Sequence, residues 1–94
     1  MSIPVRRRSS SRRPYDPSPC DKADLYAIKA LAAGTANDMQ QKRALDWILR
    51  IACGIGDTTY YPDSERDSAF ASGKRFVGME IVALLNMKNP ESDI

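Results

Sequence analysis

The chain has 94 residues, a formal net charge of +2, two cysteines and no histidine. That length allows one small domain whose core is marginal by itself, so association with a partner or with further copies is expected. No apolar run approaches the 18 residues of a membrane span, and the missing histidines and unpaired cysteine spacing leave no zinc-ligand pattern. The charge is unevenly spread. Residues 1–19 carry five arginines against Asp16, net +4, and the remainder carries nine basic and eleven acidic side chains, net −2. A basic segment on a mildly acidic body points to an anionic partner for that segment.

Residues 1–20, MSIPVRRRSSSRRPYDPSPC, read as an extended arm. Four prolines, a serine run and two arginine clusters build neither a helix face nor an alternating strand. Arg6, Arg7, Arg8, Arg12 and Arg13 are the candidate contacts to phosphates or to an acidic protein surface, since the guanidinium fork binds either anion bidentately. The bland alternative is a solvated tail. A signal peptide is not expected from the arginines at the start, because no apolar segment follows them. Tyr15 is placed to stack on a base or to pack where the arm meets the first helix.

Residues 21–33 predict the first helix, with Asp21 or Asp24 at its start, Leu25, Ile28 and Leu31 as a stripe, and Gly34 as the stop. Residues 35–53 predict a second, opened by a Thr35/Asp38 capping box and ended by Gly54. Ala44, Leu45, Trp47, Ile48, Leu49, Ile51 and Ala52 make it apolar on more than one side, as expected of a central helix. Asp46 and Arg50, four apart, form an exposed pair. Residues 54–63 read as a loop. It lacks GxGxxG and a lysine–serine pair, so a nucleotide loop is not expected. Tyr60 and Tyr61 there either plug the end of the bundle or anchor a partner.

Residues 64–87 predict the longest helix, capped by Ser64 with Asp67 and closed before Pro90. Phe70, Gly73, Val77, Ile81, Leu84 and Leu85 recur at helical spacing as its packing face. Gly73 and Gly78 each cost about 1 kcal/mol against alanine inside a helix, which close approach of another backbone would offset. The organisation expected is an all-α fold: an arm over 1–20, a small three-helix unit over 21–88 and a polar tail over 89–94.

Catalytic chemistry is not expected. The usual near-neutral base is missing, Cys53 sits where a helix C-terminus disfavours a thiolate, and no carboxylates pair on an apolar face. The sequence therefore reads as a non-enzyme, without metal, cofactor or small-molecule substrate.

The run RALDWILRIACGI, a tyrosine-bearing loop and then AFASGKRFVGMEI together resemble the Bbp-type helical domain of tailed bacteriophages. The matching residues are Trp47, Cys53, Gly54, Ala69, Phe70, Gly73, Arg75, Val77, Gly78 and Ile81, within about residues 41–85. The loop departs from the pattern by a glycine and threonines where the family carries bulkier residues. The resemblance implies a protein encoded among phage head and packaging genes, with no assigned reaction. On it rests the expectation of a virion structural protein, present in the host cytoplasm during assembly. It would dock on a capsid, portal or tail-junction protein or on copies of itself. The arm would contact neighbouring subunits or packaged DNA, and Trp47, Tyr60 and Tyr61 would be the apolar anchors. Arg75 is either solvated or bridged to an acidic residue of the second helix or of a neighbour. The other expectations are a transient assembly factor and a DNA-binding packaging accessory. The latter would lose affinity steeply with salt, by about 0.9 in log–log slope per phosphate contacted.

Overall fold

A computed structural model describes residues 4–6 and 13–90. The molecule is mostly helical, with three helices and a small two-stranded hairpin at the N-terminal side. Strand β1 (Pro4–Arg6) pairs antiparallel with β2 (Cys20–Asp21), Pro4 opposite Asp21 and Arg6 opposite Cys20. Helices α1 (Lys22–Ala33) and α2 (Asp38–Asp46) follow, then a π-helical segment (Trp47–Ala52), then α3 (Glu65–Asn86).

Each helix boundary has a local cause. Asp21 caps α1 reciprocally: the Asp24 amide donates to Asp21 Oδ1 at 2.9 Å, and the Asp21 amide donates to Asp24 Oδ2 at 3.2 Å. Gly34 ends α1 in the left-handed region, φ 76°, where a Cβ would be strained. The Thr35 amide then returns to the Ala30 carbonyl at 2.9 Å, closing a Schellman-type end. Thr35 thereby belongs to the end of α1, and the expected Thr35/Asp38 box at the start of α2 does not form. Asn37 takes that role, receiving the Gln40 amide at 2.8 Å while its own amide donates to Gln40 Oε1 at 3.0 Å. At α3, Ser64 Oγ accepts the Asp67 amide at 3.1 Å. Asp67's carboxylate turns elsewhere, so only half of the expected box is made.

The expected second helix is continuous through Ala52 but changes pitch at Trp47. The Cys53 amide reaches the Ile48 carbonyl five residues back at 2.8 Å, and the Ile55 amide reaches Leu49 at 3.1 Å through left-handed Gly54. One residue more per closed ring is the signature of a π segment.

Packing runs in a chain: α1 against α2, and α3 against the π segment. Ala27 in α1 and Ala44 in α2 have no exposed surface, which fits a close crossing through small residues. No large side chain among the described residues is fully buried. The molecule measures 51 × 34 × 19 Å with a radius of gyration of 15.7 Å, whereas a compact chain of this length would have about 12 Å.

Candidate partner interface

Residues 13–20 are built into the body, unlike the second half of a free arm. Arg13 donates to Asp63 Oδ2 at 3.0 Å and to Asp67 Oδ2 at 3.1 Å, joining the chain before α1 to the start of α3. Asp67 is buried, so Arg13 supplies the cation that a buried carboxylate needs. The hydrogen bond and charge of Asp63 hold the Arg13 guanidinium above its ordinary pKa, and Arg13 in turn pulls the Asp63 carboxyl below its ordinary value. Lys74 Nζ donates to the Pro14 carbonyl at 2.7 Å. Tyr15 meets Phe70 of α3 edge-on, ring centres 6.0 Å apart at 82°, so its contact is with the third helix, not the first. Trp47 Nε1 donates to the Pro19 carbonyl at 3.0 Å, making the half-buried indole a clamp on this segment.

Of the five arginines expected to meet an anionic partner, Arg6 lies exposed on β1. Arg13 is engaged internally, and Arg7, Arg8 and Arg12 lie outside the described residues. A second ion-pair cluster had no sequence signal: Arg43 Nε donates to Asp24 Oδ1 at 2.8 Å, and its Nη2 lies 3.2 Å from Asp21 Oδ2. The Asp24 amide, with smaller help from Arg43, holds the Asp21 carboxyl below its ordinary value. These partners are 22 and 19 residues apart in sequence, beyond any helical spacing rule. The Asp46–Arg50 pair is present at 3.5 Å and exposed.

Cys20 is buried at β2, and burial, with Asp24 beside it, pushes its thiol above the ordinary range, which disfavours the reactive thiolate. Among the described residues no three His, Cys, Asp or Glu side chains converge on a metal-sized site.

Helix α3 packs on a face rotated from the one its large residues suggest. Its buried positions are Asp67, Ala71 and Gly78, with Lys74 and Ile81 beside them half-buried. Gly78 is the point of closest approach: a Cβ there would lie 2.8 Å from Cys53 Cβ and 2.9 Å from Ile55 Cδ1. Gly73 has no neighbour within 4 Å of such an atom, so the close packing expected at both glycines occurs at one. Phe70, Val77, Leu84 and Leu85, expected to face the core, are about half exposed or more, and so is Phe76 at 63%. Of the expected face, Ile81 alone turns partly inward. Small residues let the π segment come close, and the bulky ones are left on the outer side.

Tyr60 is 71% exposed. Tyr61 is half-buried, its amide donating to Ser68 Oγ at 2.8 Å. Arg75 is exposed and makes no ion pair among the described residues. The outer side of α3, continuing through its C-terminal Leu84 and Met87, is therefore a largely apolar surface beside an exposed tyrosine. Exposed large apolar side chains gathered on one element mark an interaction surface.

Among the described residues no helix is long and apolar enough to cross a membrane. No protein family, curated protein or solved structure matches the chain.

Proposed function

We propose that this chain is a non-enzymatic docking protein of a tailed-phage particle, seated on a larger capsid, portal or tail-junction protein or on copies of itself. One observation carries the docking part: Phe70, Phe76, Val77, Leu84 and Leu85 of α3 are about half exposed or more, and only a narrow strip around Asp67, Ala71 and Gly78 is covered within the chain. Such a fold completes its core on something else. The phage setting rests on the motif resemblance over residues 41–85. The exposed Arg6, with the basic residues that follow it in sequence, serves an anionic neighbour, either an acidic subunit surface or packaged DNA.

The test is mass spectrometry of purified, DNA-filled particles, with copy number. The expected result is a stoichiometric presence that matches a capsid, portal or tail symmetry. Presence in infected cells with absence from finished particles would overturn the virion reading in favour of a transient assembly factor.

A further inference from the structure

On the outer side of α3, Arg66, Ala69, Gly73, Phe76 and Glu80 follow one another at spacings of three, four, three and four. This is the repeat of a helix–helix seam, and all five residues are exposed. Arg66 and Glu80 are the only charges on it, and neither makes an ion pair among the described residues. They stand seven residues to either side of Gly73. From these placements we infer that α3 pairs with α3 of a second copy, antiparallel, about a two-fold axis through Gly73.

Symmetry makes the argument. A two-fold interface must be complementary to itself. An antiparallel pair centred on Gly73 sets residue 66 of each helix against residue 80 of the other, so Arg66 meets Glu80 twice. It sets Phe70 of each copy against Phe76 of the other, and Ala69 against Val77. A parallel pair would stack Arg66 on Arg66 and Glu80 on Glu80, placing like charges together. The residue on the axis is a glycine with open space in front of its Cα, where two helix backbones can approach more closely than any side chain would permit. Within α3 the register overlaps residues 65–81, roughly 25 Å of helix at 1.5 Å per residue. It also carries Leu84 and Met87, 67% and 64% exposed, past the start of the partner helix toward the loop bearing Tyr60. The pairing answers the two glycines together: Gly78 admits Cys53 and Ile55, just past the π segment of its own chain, and Gly73 admits the second copy. This inference rests on the docking reading and names the first occupant of the outer face.

The experiment is sedimentation equilibrium of the full chain, with far-ultraviolet circular dichroism as the folding control. The expected mass is twice the 10.5 kDa of the chain. Gly73→Leu, at an exposed position where an added Cβ meets nothing within 4 Å in the single chain, should keep the helical spectrum and weaken the dimer by at least about tenfold. Arg66→Glu should weaken it as well, and Arg66→Glu combined with Glu80→Arg should restore it. A chain that stays monomeric at about 0.1 mM, or a dimer indifferent to all three variants, would overturn the pairing. A monomer found stoichiometrically in particles would end the pairing and leave the docking reading standing. A dimer absent from particles would do the reverse for the phage setting.

Discussion

At the scale of single residues, the two glycines of α3 look equivalent in sequence and have opposite roles. A methyl group at Gly78 would have to displace Cys53 Cβ and Ile55 Cδ1, at 2.8 and 2.9 Å. Gly78→Ala is therefore expected to destabilise the fold by about 1–3 kcal/mol, the usual cost of overpacking. Gly73→Ala meets nothing within the chain. In dilute solution it should stabilise the helix by about 0.5–1 kcal/mol through propensity alone. Denaturant titration of the two variants checks the pair of signs. Helical spacing identifies glycines at which a neighbour could come near. It carries no information on which side the neighbour stands, because apolar and charged residues are interleaved around the circumference of α3. For the same reason Phe70 and Val77 read as core and are exposed. Asp67 read as a cap and is buried against Arg13, a partner 54 residues away that local spacing does not reveal.

At the scale of elements, most helix boundaries were legible because their causes are local. Asp21, Gly34, Gly54 and Ser64 act within a few residues of where their types would place them. The start of α2 differs because one residue was claimed by two neighbours: Thr35 finishes α1 through its amide, and Asn37 opens α2. Asn37→Ala should cost about 1 kcal/mol, as for loss of an N-cap. Thr35→Ala should cost far less, since its hydroxyl makes only a 3.4 Å contact to Ala30 and its amide survives the change. Thermal unfolding of the two variants side by side distinguishes the caps. The hairpin was not legible: β2 has two residues, too few for any alternation. The clamp of Trp47 on Pro19 depends on an encounter across 28 residues, and local pattern has no access to that.

For the whole molecule, two ion-pair clusters fasten the joints, one tying the chain before α1 to the start of α3 and one tying the start of α1 to α2, and both are carboxylate-dependent. Asp63 and Asp21 each have a folded pKa below the ordinary 3.8. A carboxyl with a depressed folded value contributes stability that is complete above its unfolded value and is lost as pH falls through the folded one. The melting temperature should therefore be flat near neutrality and drop as the solution is acidified below about pH 4. Asp63→Asn should lower the plateau and flatten part of that drop. A melting-temperature profile from pH 7 to pH 2 reads both. Because these pairs are exposed on at least one side, added salt should lower the plateau too. The same two clusters hold an elongated body together where a large apolar core is missing. The molecule is thus organised by small contacts at its joints, with large apolar side chains of α3 turned outward.

The π segment between α2 and the loop acts as a phase shifter. An additional residue carried inside a helix, without a break, turns everything downstream by about 100° relative to the α-helical course. The α1–α2 corner and the seat for α3 are cut from one continuous rod, and the shift sets the angle between them. Removing one residue between Trp47 and Ala52 would give a more regular helix, yet it would swing Cys53 and Ile55 away from Gly78. Over this stretch the chain is more constrained in its residue count than in its residue identities. Apolar substitutions of similar volume can be absorbed at Ile48, Leu49 and Ile51, whereas a single-codon insertion or deletion would uncouple the two halves of the molecule.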